Sequence, residues 1–375
     1  MSDSDYVLAR AIGREVDRRA LLRGGFGVGV LGLLAACSSS KPSSAGGSSA
    51  GAGSATGSGS SSAAAKSFGE VSLRLSWIKN VEFAGSYIAD TKGYYKAEGF
   101  SGINLIAGGA TATPQDADVA TGKAMFGISA PDITGSAILH GAPLKIIGAQ
   151  YQKNPFCIMS LATKPILKPT DMYGKKIGVQ ATNESVWQAF VKAAKIDASK
   201  ITKVPVQYDP TPLTQGTVDG WFSFVTNEPN ALKLKGFATK TMMLADFGYP
   251  LVSETYMTTT DLISKQPDLI KAFLRAEIKG WKDNIADPAL GAKLAAETYG
   301  KGLGLTTVEQ TLESKSENLL ISTADTKKNG LFTVTDALIA ENIATLKLGG
   351  IDLTADKIFD FSLLKEVYTE DPSLI

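Results

Sequence analysis

VSLRLSWIKNVEFAGSYIADTKGYYKAEGFSGINLIAGG, residues 71–109, changes periodicity twice, and that change decides the fold class. VSLRLSW (71–77) alternates between apolar and polar positions and reads as a strand. Phe83, Tyr87, Ile88, Tyr94 and Tyr95 then recur at roughly helical spacing, which predicts a helix from Phe83 to Glu98 closed by Gly99. INLIAGG (103–109) is a second strand that enters a glycine turn. Strands alternating with helices point to βαβ units and a parallel sheet.

The same alternation extends outward. Pro114 to Lys123 reads as a helix, MFGISA (125–130) as a strand, Ile133 to His140 as a helix and LKIIGAQYQ (144–152) as a strand, after which PFCIMSLATKP (155–165) carries the chain onward. A second set follows the turn-rich KPTDMYG. It has strands at 175–180, 202–208, 219–225 and 240–247, and helices over Glu184–Lys195, from Pro212, and over 227–236. From Asp261 the chain is mostly helical, notably PDLIKAFLRAEIKGWKDNI (267–285). Two α/β sets and a helical tail predict two lobes joined by crossovers near 160–166 and 248–258. Residues 68–165 and 250–375 would form lobe 1, and residues 166–249 lobe 2.

The N-terminal segment carries a different message. Arg18 and Arg19 form a twin-arginine pair, followed by the apolar run FGVGVLGLLAA (26–36) and then Cys37. A positive region, a short apolar region and small residues before a cleavage point are the parts of an export signal. The run is 11 residues long, far short of the roughly 20 that a permanent spanning helix needs. Residues 38–66 are mostly Ser, Gly and Ala, a composition that bridges two points without packing. Residues 1–36 are therefore expected to be an export signal of twin-arginine type, and residues 37–67 a Cys-led flexible tether.

Charge and rare residues narrow the function. The whole chain carries a formal charge of +1. Its first 36 residues hold five arginines against four acids, so the remainder is about neutral, which argues against nucleic acid as a partner. With Cys37 assigned to the anchor, Cys157 has no partner for a disulfide within the chain. The only histidine, His140, stands at a predicted helix end and reads as a solvated or capping residue; triads and multi-histidine metal sites are excluded. Beyond residue 36 only Arg74 and Arg275 remain, which disfavours a strongly anionic ligand.

Several stretches in order resemble the ABC-transporter substrate-binding proteins of the nitrate/sulfonate/taurine and thiamine-pyrimidine-precursor superfamily. LSWIKNVEFAGSYIADTKGYYKAEGF (75–100) is similar to that family's opening, and AGGATATPQDADVATGKAMFGISAPD (107–132) to its glycine turn, helix and strand. YDPTPLTQGTVDGWFSFVTNEPNALKLKG (208–236) resembles its second-lobe element, and LIKAFLRAEIKGWKDNIADP (269–288) its C-terminal helix. LAAC (34–37) resembles a lipobox, with Cys37 as the lipidated residue. The resemblance implies a type II periplasmic-binding-protein fold, two α/β lobes hinged around a ligand cleft. It also implies an exported protein, lipid-anchored to the outer face of the cell membrane, that works as a monomer with an ABC permease and ATPase. Neither cofactor nor catalysis is expected. A related pyrimidine synthase consumes its own histidine and uses a cysteine-rich iron motif, and this chain offers only PFCIMS (155–160) in that place, with His140 remote from it. The implied ligand is a small heteroaromatic, first a thiamine pyrimidine precursor. Riboflavin, or a sulfonate, taurine or nitrate, are the alternatives.

In α/β sheets ligands sit where strands run into helices. At the first such junction Trp77 either stacks a flat ring or belongs to the core, Asn80 either meets the ligand or caps the helix, and Phe83 opens the helix. At the second, Gly108, Gly109, Ala110 and Thr111 could turn backbone N–H groups towards a ligand or form a plain turn. At the third, Ser129 ends a strand and Asp132 is a cap or an acceptor. At the fourth, Asn227 and Glu228 open a helix, whose N-terminus favours a carboxylate in any case. A carboxylate also suits an aminopyrimidine edge, and the resemblance places an acid at this point in pyrimidine-precursor binders. Trp187, Phe222 and Tyr256 are further candidates for stacking.

Overall fold

The computed structural model describes residues 67–109 and 112–375. The expected export signal, Cys37, the tether up to residue 66, Ala110 and Thr111 lie outside the described residues. Among the described residues ten strands form two sheets. They are β1 (Gly69–Arg74), β2 (Phe100–Ile106), β3 (Phe126–Ser129), β4 (Leu144–Tyr151), β5 (Phe156–Leu161), β6 (Lys176–Gln180), β7 (Thr202–Val206), β8 (Gly220–Phe224), β9 (Thr239–Met243) and β10 (Ser253–Thr259). The first sheet has the order β2-β1-β3-β10-β4 and the second β7-β6-β8-β5-β9.

The pairing within each sheet is mixed. β1 runs parallel to β2 and β3, and β6 parallel to β7 and β8. The strand that enters each sheet from the other one is reversed: β5 is antiparallel to β8 and β9, and β10 is antiparallel to β3 and β4. Both strands arrive through short connections from the edge strand of the other sheet, β4 and β9, and insert between two strands already parallel to each other. The sheets therefore exchange the chain twice, between Tyr151 and Phe156 and again between Met243 and Ser253. The first exchange comes earlier than the expected 160–166, because PFCIMSL pairs as a strand of the second sheet. Asn342, fully buried, holds the second exchange by accepting from the Val252 N–H at 3.0 Å and donating to the Pro250 carbonyl at 3.1 Å.

Helices cover both sheets. The ones that matter to the site are α1 (Ala84–Thr91), α2 (Pro131–Leu139), α3 (Glu228–Leu234), α4 (Pro267–Ala286) and α5 (Thr307–Ile321). The helix expected over 83–98 is interrupted: a short 3-10 turn (Val81–Phe83) precedes α1, and Gly93, at φ +73°, separates α1 from a last turn at Tyr94–Ala97. Only glycine enters that left-handed region at little cost. α4 matches its expected span to within one residue, with Pro267 in its first turn, where the ring replaces an N–H that no helix bond needs. Among the described residues no helix is long and apolar enough to cross a membrane. The architecture is two α/β lobes, each built on its own sheet.

Candidate ligand cleft

Strand ends of both sheets converge on a cleft of about 510 Å³, within the usual range for small-molecule sites. From the first lobe come Ser76 and Trp77 after β1, Asn80 and Glu82 around the 3-10 turn, Ser129 and Asp132 after β3, and Glu254 at the start of β10. Because β10 is reversed, its first residues reach the same edge as the last residues of β1 and β3. From the second lobe come Phe222, Phe224, Asn227 and Glu228, at the junction of β8 and α3, with Phe156 and Tyr208 beside them. Gln310 and Glu313 of α5 close the floor. Two contacts bridge the walls: the Trp77 and Tyr208 rings lie 5.7 Å apart, and Asn230 of α3 donates to Ser316 of α5 at 3.0 Å.

The floor is a hydrogen-bonded set of acceptors. The Asn80 amide N–H donates to Glu313 Oε1 at 3.0 Å, and Gln310 donates to Glu313 Oε2 at 2.7 Å. Gln310 in turn accepts from the Val81 N–H at 2.7 Å. Ser76 donates to Glu254 at 2.6 Å, and Tyr151 donates to Glu317 at 3.0 Å. Asn80 Oδ1 and Glu317 Oε1 are buried with no hydrogen-bond partner. Burial lifts these carboxyl groups out of the usual range, since a charge is poorly solvated there. Glu82 is pushed up to about 7, with Asn227 and Asn80 opposing the shift and Glu228 adding to it. Glu254 is pushed up to about 8, with the Glu82 charge adding to desolvation. Glu313 and Glu317 lie well above the ordinary value for the same reasons. Burial also raises Glu228 and Asp132.

The sequence pattern of the family described as NMT1/THI5 like matches residues 80–290, more than half of the chain. The chain belongs to the NMT1/THI5-like family. It is 24% identical over 276 residues to the riboflavin-binding protein RibY of Chloroflexus aurantiacus, covering 70% of this chain and 74% of that protein. It is also 24% identical over 219 residues to the 4-amino-5-hydroxymethyl-2-methylpyrimidine phosphate synthase of Legionella pneumophila, covering 56% of this chain and 67% of that enzyme. Among solved structures, the periplasmic aliphatic sulphonate binding protein SsuA of Escherichia coli superposes with a TM-score of 0.56 at 16% identity, over 78% of this chain and 91% of that one. The fold is thus that of the two-lobed periplasmic binding proteins.

In this NMT1/THI5-like chain the sequence candidates divide. Trp77, Asn80, Ser129, Asp132, Phe222, Asn227 and Glu228 all line the cleft. Phe83, Trp187 and Tyr256 do not; the structure corrects these three to lobe cores. Phe83 packs under the first sheet, and Trp187 meets Phe222 edge-on from behind, with ring centres 6.2 Å apart. Tyr256 points away because its hydroxyl is held by Glu277 at 2.9 Å and by the Trp281 ring N–H at 3.1 Å. Gly108 and Gly109 are also absent from the lining. The Gly108 N–H is spent on the Trp77 carbonyl at 2.7 Å, and a Cβ there would stand 2.6 Å from the Ser76 backbone. Gly108 therefore lets two backbone segments touch and so sets the loop that carries Trp77.

Ser129 and Glu228 also serve the scaffold. Ser129 donates to Asp116 at 2.6 Å, and Glu228 accepts from Ser223 at 2.8 Å and from the Phe224 N–H at 3.1 Å. Sequence reasoning missed Glu82, Glu254, Gln310 and Glu313. Glu82 could have been found, two residues after Asn80 in an expected junction. Gln310, Glu313 and Glu317 follow at i, i+3 and i+7, so they share a helix face, but a polar face ordinarily signals solvent.

Proposed function

We propose that this protein is the solute-binding component of an ABC importer, capturing a small flat heteroaromatic with N–H donors, of the aminopyrimidine class of thiamine precursors. The observation that carries the reading is the charge of the cleft. Six of its lining residues are Asp or Glu, and among the described residues no lysine, arginine or histidine lines it. Both body arginines are committed elsewhere. Arg74 is buried, pairs with Asp118 at 2.8 Å and donates to the carbonyls of Ile106, Ala107 and Thr113; Arg275 pairs with Glu98 at 2.6 Å. A cleft that is rich in acidic groups and has no basic side chain in its lining is a poor host for the anionic group of a sulfonate, taurine or nitrate, which finds no counter-charge there. It suits amine and ring N–H donors, with Trp77, Phe156, Tyr208 and Phe222 offering faces for a ring.

Capture rather than catalysis is supported by the two groups that catalysis would first call on. His140 lies outside the cleft, and its ring nitrogen meets the Ser136 carbonyl on an exposed helix end. Cys157 is buried, which pushes its thiol well above the ordinary range and away from the reactive thiolate. In this reading the protein is exported, anchored through a lipidated Cys37, and delivers its ligand to a permease and ATPase. Riboflavin is the second reading, favoured by the RibY relative and by a cleft roomier than a single ring requires.

Thermal unfolding of the purified protein with 4-amino-5-hydroxymethyl-2-methylpyrimidine, riboflavin, taurine and nitrate tests this. A ligand at 100 times its Kd adds about 2.7 kcal/mol of stability. Stabilisation by the aminopyrimidine is the expected result. Stabilisation by riboflavin alone would move the ligand, and stabilisation by taurine or nitrate alone would overturn the argument from charge.

A further inference from the structure

We propose that the first-lobe floor of the cleft, which carries Glu82, Glu254 and Glu313 together with the unpartnered Oδ1 of Asn80, is a seat for a positively charged nitrogen, and that filling it exchanges a proton held by these carboxyl groups. The proposal deepens the solute-binding reading by assigning the charge of the ligand, and it rests on that reading only for the location of the site.

The groups arrive from three separate parts of the chain. Glu82 is on the 3-10 turn, Glu254 begins β10, and Glu313 is on α5 one turn before Glu317. Glu82, Glu254 and Glu313 are 2%, 6% and 4% exposed, and Asn80 is 4% exposed. The donors that reach these carboxyl groups are Asn80 and Gln310 to Glu313, Ser76 to Glu254, and Asn227 and Asn80 to Glu82. What is left over is acceptor capacity. An amide oxygen buried without a donor costs free energy on the order of 1–3 kcal/mol, and Asn80 Oδ1 is such an atom on a residue that lines the cleft. Once the neighbouring carboxyl groups are ionised they can only accept, and an incoming N–H or O–H is then what satisfies it.

Charge then selects among donors. The ionisable groups facing Glu82 from the packed elements are Glu254, Glu313 and Glu317, Glu228 of α3, Tyr87 of α1 and Tyr151 of β4. All are acidic, so nothing in the protein neutralises the cluster when it ionises. Near neutral pH it keeps protons instead, consistent with Glu82 at about 7 and Glu254 at about 8. A fixed cation entering the seat supplies the missing counter-charge and releases a proton to solvent. A neutral but basic heterocycle takes that proton itself and becomes the cation in place. A metal ion is a poor occupant, because among the described residues no three acidic, histidine or cysteine side chains converge in a ligating group.

Benzamidine and benzamide are flat, nearly isosteric probes that differ in charge, and benzamidine stays protonated across the useful pH range. Calorimetry on the purified protein should give benzamidine at least about tenfold higher affinity than benzamide at pH 8.5, with the preference falling up to tenfold per pH unit per proton as pH drops from 8 to 6. Titrations in two buffers of different ionisation enthalpy should show proton release. Glu82→Gln and Glu313→Gln should each flatten the pH slope; the wild-type comparison decides even if a variant fails to fold. Equal affinity for the two probes, a preference independent of pH, or no binding of either probe overturns the seat. Aminopyrimidine binding without a cation preference would sink this proposal alone. A pH-dependent preference for benzamidine with no aminopyrimidine binding would sustain the seat and remove the aminopyrimidine.

Discussion

Glu254 sits with φ at +46°, in the left-handed region, and lies buried against the cleft at the first turn of the chain into β10. For a residue with a Cβ that conformation costs roughly 1–2 kcal/mol, and an asparagine or glycine would have been the cheaper choice. Two unfavourable features therefore coincide at one residue, a strained backbone and a desolvated carboxyl group pushed up to about 8. Such strain persists where surrounding structure and function keep it in place. Glu254→Gly is expected to raise the free energy of unfolding at pH 8 by about 1 kcal/mol, the relief of strain outweighing the extra freedom of glycine in the unfolded chain. The same variant should lose affinity for cationic ligands. Urea unfolding paired with calorimetry checks both, and a destabilised variant would mean that the Ser76–Glu254 hydrogen bond matters more than the backbone.

Helix α4 shows what an element adds beyond its residues. It packs across α1 so closely that a Cβ on Gly280 would stand 2.0 Å from the Gly85 carbonyl oxygen, and a Cβ on Gly85 would stand 2.2 Å from the Trp281 ring. Both glycines have ordinary helical backbones; closeness is the reason for them. Gly280→Ala should destabilise the protein by about 1–3 kcal/mol, or more if the helices must separate, because overpacking forces side chains and backbone apart. Chemical denaturation measures it, and an unchanged midpoint would mean the contact yields easily. In the sequence α4 was legible from its apolar period and its leading proline, while the reason for Gly280 was not, because helix-to-helix distance leaves no local signal. The same contrast separates the site residues. Asn80, Asp132 and Glu228 stand at strand-to-helix junctions, where topology directs attention. Gln310 and Glu313 stand mid-helix on α5, where a polar face reads as solvated until the fold buries it. The antiparallel entry of β5 was likewise invisible, since PFCIMSL is apolar enough for either sheet and pairing partners lie far away in sequence.

Across the described residues a set of buried acids shifts in one direction. Glu82, Glu254, Glu313 and Glu317 at the floor, Glu228 and Asp132 on the walls, and Glu277 and Asp116 in the first lobe are all shifted upwards by burial. The acids shifted downwards, such as Glu184, Asp197 and Asp356, are on the surface, where solvent screens their effect. For a carboxyl whose pKa is higher folded than unfolded, the folded state binds more protons between the two values, so stability falls as pH rises through that window. With an unfolded value near 4.5 and folded values of about 7 for Glu82 and about 8 for Glu254, the loss should run from pH 5 to pH 8.5. The ligand-free protein should therefore melt at a lower temperature at pH 8.5 than at pH 5. Saturating benzamidine should recover part of that loss at pH 8.5 and have little effect at pH 5. A melting temperature that is flat or rising across this range would mean the cleft carboxyl groups ionise as freely as those on the surface, for instance because water reaches them when the lobes part. That outcome would tie the raised values to the arrangement in which Trp77 meets Tyr208 and Asn230 meets Ser316.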